Sequence, residues 1–282
     1  MLIDILSDLH IDSYFKEGEM RKEEFYSLYD NIILDRKVSN KVGNTLIIAG
    51  DLGHYNSQNI KVIDWLKQRY YENIVLVLGN HEHFLVNKKM IEKYGSNSLN
   101  KIKEYKEMLS KKDGVYLLDG QVIEIDGVKI GGSMGWYSSA YLKHMYPYKS
   151  ISKRSLNHQW RNSMIDNKYI YGLEDYDGFY AEEYKKLNNI KDKCDIMVTH
   201  MNPSFLENNL SKRFKGQQSN TFYCFNGHNL MKEGTMKYWV YGHTHDDKEY
   251  EYEKVNCICN PMGSSEESQM GRNVMIKQIK IV

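Results

Sequence analysis

The sequence predicts an α/β protein with a parallel sheet in its N-terminal half. Three observations predict it. Short apolar runs alternate with stretches of helical spacing, the runs stop at Gly, Asp or Asn, and the turn chemistry changes near residue 115. The 282 residues are enough to bury a sizeable core without staples.

Each element follows from its own pattern. Residues 1–7 form a short apolar run that ends at Ser7-Asp8-Leu9-His10. Over 19–37, Phe25, Leu28, Ile32 and Ile33 recur at helical spacing. Thr45-Leu46-Ile47-Ile48-Ala49 is continuously apolar and stops at Gly50-Asp51, as a buried parallel strand does. Ile60, Ile63, Trp65 and Leu66 predict a helix over 59–72. A third strand, Ile74-Val75-Leu76-Val77-Leu78, stops at Gly79-Asn80-His81-Glu82, and 87–111 reads as a polar helix. The next runs, 115–118, 122–125 and 128–131, are separated by Asp-Gly at 119–120 and 126–127 and predict antiparallel hairpins. Residues 136–177 show no clean period. A helix is expected at 178–192, strands at 196–199 and 238–241, and closing strands within 249–259 and 273–282. With no repeat and no Pro/Gly/Ser-rich linker, residues 1–282 are expected to form one domain carrying an insertion at 136–177.

Composition excludes several classes. Hydrophobic content of 41% with 27% charged residues rules out disordered and fibrous chains. No apolar run approaches the roughly 20 residues of a membrane span. The first residues lack a basic region and a cleavage site, and four cysteines are too few for a disulfide framework, so a reducing, cytoplasmic setting is expected. A net charge of +1 does not give the basic excess of a nucleic-acid-binding domain.

Chemistry concentrates where the apolar strands stop. Asp8-x-His10, Asp51, Asn80-His81, His200 and His243-x-His245 all follow such runs. In α/β sheets ligands bind outside the carboxyl ends of strands, so these groups are expected to converge. Carboxylates, an amide and imidazoles suit borderline divalent metals: manganese, iron, zinc or nickel. They are too many for one tetrahedral ion, and a pair sharing a carboxylate accounts for them better. Residues at i and i+2 of an extended segment face one way, so Asp8 with His10, and His243 with His245, are expected to reach the ions in pairs. Gly50, Gly79 and Gly242 are expected to permit tight turns beside them.

These five blocks, in this order over residues 8 to 245, resemble the calcineurin-like metallophosphoesterase superfamily, and Asn260-Pro261-Met262-Gly263-Ser264 looks like the turn that follows the last block in many bacterial members. The resemblance implies a four-layer α/β/β/α sandwich of two mixed sheets. It implies one metal held by Asp8, His10, Asp51 and His245, a second held by Asp51, Asn80, His200 and His243, and Asp51 bridging. It implies hydrolysis of a small phosphomonoester, phosphodiester or nucleotide by metal-activated hydroxide, with His81 facing the substrate as proton donor. Manganese is the expected ion. The alternatives are a nuclease acting on single-stranded DNA or RNA and a metal-binding regulatory protein without turnover. The Gly-Asp-x-x-Asp-Arg-Gly block of protein phosphatases is not matched, since Gly50-Asp51 is followed by Leu52-Gly53-His54-Tyr55-Asn56. The phosphate-clamping arginine and the carboxylate that pairs with the catalytic histidine are both missing from it.

Around the site, His54 is a candidate contact to metal or phosphate. The stretch 136–165 holds Lys143, Lys149, Lys153, Arg154 and Arg161 with no acidic residue, interleaved with aromatic residues, and an acidic stretch beginning at Asp166 follows. Trp136 and Arg154 are therefore candidate substrate contacts, since basic and aromatic groups together bind nucleotides. A solvated loop whose two halves pair is the competing account. By resemblance, insertions here form a cap over the substrate pocket. A small phosphate ester is the expected partner, nucleic acid the less favoured one, and no membrane is expected. His83 is assigned a supporting or helix-start role. His144, His158 and His228 are read as ordinary surface or packing residues, and Cys257 and Cys259 as core.

Overall fold

The computed structural model describes residues 1–34, 43–173, 176–214, 216–269 and 274–281. In chain order the strands are β1 (Leu2–Leu6), β2 (Thr45–Ala49), β3 (Asn73–Val77), β4 (Val115–Leu117), β5 (Gln121–Ile125), β6 (Val128–Gly132), β7 (Ile196–Val198), β8 (Tyr238–Tyr241), β9 (Lys248–Tyr252), β10 (Val255–Cys259) and β11 (Lys277–Lys280). They build a five-stranded sheet, β11-β1-β2-β3-β4, and a six-stranded sheet, β5-β6-β7-β8-β10-β9. In the first, β1 to β4 run parallel and β11 is antiparallel to β1. In the second, β6, β7, β8 and β10 run parallel, with antiparallel β5 and β9 at the edges.

Period-two alternation builds the layers. Ile3, Ile5, Ile47, Ala49, Val75 and Val77 meet Ile130, Ile196, Val198, Val240 and Ile258 in one core between the sheets. On the opposite face of the first sheet, Leu46, Ile48, Ile74 and Leu76 pack with Phe25, Ile63, Leu66 and Ile102, which lie on helices. Met197, Trp239, Tyr241 and Cys257 of the second sheet belong to a core that includes Leu187, Leu230 and Met231 on helices. The result is the expected stack of helices, sheet, sheet and helices.

Several expectations are corrected. Val115–Leu117 does not join a hairpin but pairs parallel to β3, and the chain crosses to the second sheet at Asp119-Gly120. Of the two Asp-Gly pairs, only Asp126-Gly127 makes a hairpin turn. Both residues have positive φ, 50° and 79°, as a two-residue type I′ turn requires. The second sheet is mainly parallel where antiparallel strands are expected, and its short buried apolar runs carry no mark of strand direction. The helix expected at 87–111 splits into Lys88–Lys93 and Ser98–Leu109. Gly95 and Ser96 adopt left-handed backbone between them, and Asn97 caps the second helix by accepting from the Leu99 N–H at 2.9 Å. The other helices expected from the sequence lie at Lys22–Leu34, Asn56–Arg69 and Tyr176–Asn188, near their expected places, and Ile11–Tyr14, His228–Glu233 and Ser265–Gln269 are helical as well. The ends expected at 35–37, 273 and 282, and Glu174 and Asp175 of the acidic stretch, lie outside the described residues. The insertion contains helices Ala140–Met145, Lys153–Ser163 and Asp166–Tyr169. Asp166 is fully buried, so it is not part of a solvated acidic face. All four cysteines are buried and free.

Candidate metal centre

Five parallel strands deliver the site from both sheets. β1 leads to Asp8 and His10, β2 to Asp51, β3 to Asn80 and His81, β7 to His200, and β8 to His243 and His245. Their ligand atoms gather into three overlapping groups, Asp8–His10–His245, His10–Asp51–His81 and Asp51–His200–His243, each within 4.8 Å. The Asp51 carboxylate is central, with His200 Nε2 at 3.2 Å and the Nε2 atoms of His10 and His81 at 3.8 Å. Burial acts to raise the Asp51 carboxyl, but the imidazoles of His200, His81 and His10 outweigh it and hold it well below the usual range. Asn80 Oδ1 lies 3.0 Å from His200 Nε2, joining the same group.

The backbone around these residues is unusual. Asp8, His10, Asp51, His243 and His245 all have φ between 41° and 67°. The paired residues at i and i+2 therefore reach the site through left-handed turns and not through extended strand, which corrects that expectation. Gly50 has φ of 83°, and a Cβ there would lie 2.5 Å from His200 Nδ1. Gly79 has ordinary φ and is needed for space, since a Cβ would come within 2.6 Å of the Asp51 nitrogen.

Three imidazoles are pinned from behind. His200 Nδ1 bonds the Ala49 carbonyl at 2.8 Å, His243 Nε2 the Phe222 carbonyl at 3.1 Å, and His245 Nδ1 the Glu267 carboxylate at 2.7 Å. Each ring thus presents its other nitrogen to the cluster, the arrangement that orients metal-ligating histidines. Burial lowers the His200 imidazole, yet Asp51 overrides it and lifts the ring to about 10. Burial and the neighbouring His200 lower His243 to about 3. The Nε2 atoms of His10 and His245 face each other at 3.0 Å, and that of His245 is 3.6 Å from Asp8 Oδ1. Such crowding of ring nitrogens around carboxylates is a donor set made for cations.

Four carboxylates that sequence reasoning did not assign support the site. Glu82 accepts from the backbone N–H of Gly79, Asp51, Leu52 and Gly53 at 2.6, 3.1, 2.7 and 3.4 Å, tying the Asp51 loop to the Asn80 loop. Asp12 bonds the His54 backbone N–H at 3.0 Å and the His54 Nδ1 at 2.6 Å, and His54 Nε2 meets His81 Nδ1 at 2.9 Å. Burial favours a neutral Asp12, but these bonds dominate and hold it at about 2. Asp166 accepts from Asn80 Nδ2 at 2.7 Å, and burial lifts its carboxyl to about 6. Glu267 closes the set behind His245. Glu82 stands in the Gly79-Asn80-His81-Glu82 block after β3 without a role read for it, whereas Asp12, Asp166 and Glu267 belong to no block and spacing gives no signal for them. The expected Asn260–Ser264 turn also docks here, its Gly263 N–H bonding the Asp8 carbonyl at 2.8 Å.

Of the three expected substrate contacts, the structure joins His54 to the cluster. Trp136 is fully buried, stacked on Tyr137 with Phe179 at its edge, and offers no face to a substrate. Its aromatic content serves packing, which composition alone could not distinguish. Arg154 is exposed on the helix Lys153–Ser163. His83 is buried, with Nδ1 bonding the Gly79 carbonyl at 3.1 Å, which fits a supporting role.

Comparison with known proteins agrees with this geometry. The sequence profile of calcineurin-like phosphoesterases matches residues 1–247. The chain belongs to the calcineurin-like phosphoesterase family. Uncharacterized protein L509 of Acanthamoeba polyphaga mimivirus is 24% identical over 278 residues, 94% of this chain and 92% of that one. The phosphopantetheinyl hydrolase of Mycobacterium tuberculosis has a similar fold, with a TM-score of 0.66 at 16% identity over 98% of this chain and 95% of that one. Calcineurin-like phosphoesterases are metal-dependent phosphoester hydrolases, and the clustered His and Asp groups here are of the kind that hold such ions. Among the described residues no helix is long and apolar enough to cross a membrane.

Proposed function

We propose that this calcineurin-like phosphoesterase is a dinuclear enzyme hydrolysing small phosphate esters. One observation carries the reading: the Asp51 carboxylate is common to two groups of ligand atoms, with imidazoles on both sides. The donor chemistry fits two divalent ions, since pinned rings aim nitrogens at buried carboxylates, where a cation can take the place of the ring protons. One ion is assigned to Asp8, His10, Asp51 and His245. The other is assigned to Asp51, Asn80, His200 and His243. Manganese is the proposed ion, and iron, zinc and nickel suit the same nitrogen and oxygen donors. Bound divalent ions supply Lewis acidity toward a phosphoryl oxygen and acidify water to a nucleophile.

The protein's own groups manage the leaving-group proton. Asp12 accepts from His54 Nδ1, which leaves His54 Nε2 toward His81 Nδ1. With both rings neutral, His81 Nδ1–H donates to His54, and His81 Nε2 presents a lone pair to the cluster. Burial keeps the His81 imidazole well below its ordinary range, so His81 alone is a poor acid. One proton added to the pair makes His81 Nε2 a donor, stabilised by Asp12 across His54. The His54–His81 pair, and not His81 alone, is the proposed acid toward the leaving oxygen. The insertion at 136–177 is proposed to cap the substrate pocket.

The test is a substrate panel run with and without Mn(II). It includes aryl phosphate monoesters and diesters, nucleotides, oligonucleotides and a phosphopantetheinyl ester, the last because the mycobacterial hydrolase of similar fold is named for it. Turnover that needs metal and vanishes in Asp51→Asn supports the reading. Full activity of Asp51→Asn in metal-replete buffer would end it.

A further inference from the structure

Asn80 uses both ends of its amide. Oδ1 lies 3.0 Å from His200 Nε2, and Nδ2 donates to Asp166 Oδ1 at 2.7 Å. Asp166 offers its Oδ1 as acceptor to the Asn80 amide nitrogen, which fixes that end of the amide and turns the oxygen to the cluster. Asp166 is itself held. Its Oδ2 accepts from the Tyr137 hydroxyl at 2.9 Å, and the Trp160 indole N–H donates to that hydroxyl. Asp166, Tyr137 and Trp160 are nine-tenths or more buried, and all three come from the insertion.

We infer that Asp166 is a positioning residue, through which the insertion holds the Asn80 carbonyl oxygen toward a divalent cation. The inference rests on the two-metal reading. It gives the insertion a task beyond covering the pocket: its Trp160–Tyr137–Asp166 chain is the outer wall of the site that Asn80 and His200 share. A side chain whose two donors and two acceptors are otherwise free to exchange places is locked in the one orientation that offers an oxygen. Removing such an outer partner typically weakens metal binding about 10–100-fold.

The test is Mn(II) binding to the metal-free full chain by calorimetry, with the spectroscopic coupling of the two ions as a second readout. Wild type should bind two ions. Asp166→Leu should weaken one by about 10–100-fold and leave the other, held by Asp8, His10 and His245, at wild-type affinity. That preserved ion also shows that the variant folds. Asn80→Ala should weaken the same ion, and the double variant should bind no worse than Asn80→Ala alone. Tyr137→Phe should weaken that ion to a smaller degree. Equal weakening of both ions by Asp166→Leu, losses that add in the double variant, or no loss at all would overturn the inference. Wild type binding fewer than two ions would overturn the two-metal reading and this inference with it. Selective loss in Asn80→Ala without loss in Asp166→Leu would overturn the inference alone.

Discussion

Replacing Glu82 by Gln tests how the metal loops are held before any ion binds. The carboxylate is 2% exposed and accepts four backbone N–H groups, two on each oxygen. Gln keeps the shape but puts an NH2 where one oxygen was, so two backbone donors lose their acceptor. The less costly orientation turns the NH2 to Leu52 and Gly53, because the Gly53 contact is long at 3.4 Å. A hydrogen bond to a charged group contributes about 1.5–3 kcal/mol, and the Gly53 contact less. Burial and the nearby Asp51 raise the Glu82 carboxyl, so removing its charge offsets part of this loss. The net loss comes to about 2 kcal/mol. Urea unfolding of the metal-free protein in chelator, followed by tryptophan fluorescence, measures it. Glu82→Ala, which abandons all four donors, should lose at least about 4 kcal/mol. Lys101 is fully buried nearby, and burial holds it at about 7 with Glu82 the leading opposing charge. Lys101→Met in the Gln background should therefore lose less than the two single changes summed. A Glu82→Gln stability within about 0.5 kcal/mol of wild type would refute the reasoning.

Three further outcomes follow from the supporting residues. Asp12→Asn and His54→Phe should slow hydrolysis of alkyl phosphates by about a hundredfold, with little effect on nitrophenyl esters, which need no proton, and none on Mn(II) affinity; equal losses on both substrates would show that the pair is not the acid. Glu267→Gln should weaken the ion that His245 holds by about 10–100-fold in a Mn(II) titration while sparing the Asn80 ion. Burial keeps His83 neutral down to about pH 4, so the unfolded chain binds the extra proton between its ordinary 6.5 and that value. Stability should fall as pH drops through this window, by about 3 kcal/mol at 1.36 kcal/mol per unit, and His83→Gln should flatten the fall in urea midpoints.

The sequence disclosed strands better than their directions. Ile47 and Val75 sit in runs apolar on both faces, and such runs announce burial between layers. The same property hides parallel from antiparallel pairing, which is why Val115–Leu117 was expected in a hairpin and instead extends the first sheet. Asp126-Gly127 was readable because the turn needs two positive φ values and few residue pairs supply them. The break at Gly95-Ser96-Asn97 leaves no trace in the periodicity, because capping by Asn97 is a local bond that periodicity does not register. Trp136 packs where a substrate contact is expected, because an aromatic side chain in a polar stretch reads alike whether it packs or binds.

The site was legible in its first layer and opaque in its second, for one physical reason. Ligand candidates follow strands, so chain order predicts their meeting. Their supports come from wherever the fold brings an acceptor: Asp12 to His54 across 42 positions, Asp166 to Asn80 across 86. Those supports are required by the backbone itself. Among the described residues eight non-glycine residues have positive φ, and five of them are Asp8, His10, Asp51, His243 and His245. Such conformations cost on the order of 1–3 kcal/mol each when imposed on residues that resist them, and they persist only where surroundings overdetermine them. The surroundings here are cross-loop bonds: Asp8 N–H to the Gly50 carbonyl, His10 N–H to the Asp51 carbonyl, and His243 N–H to the Asp8 carboxylate, at 3.0, 3.0 and 2.9 Å. Asp8, His10 and His243 are thus each held by another loop, and Glu82 fastens the Asp51 and Asn80 loops together. The centre is consequently organised by the fold before a cation arrives, which is why loosening a single outer carboxylate should weaken one ion selectively and not dissolve the site.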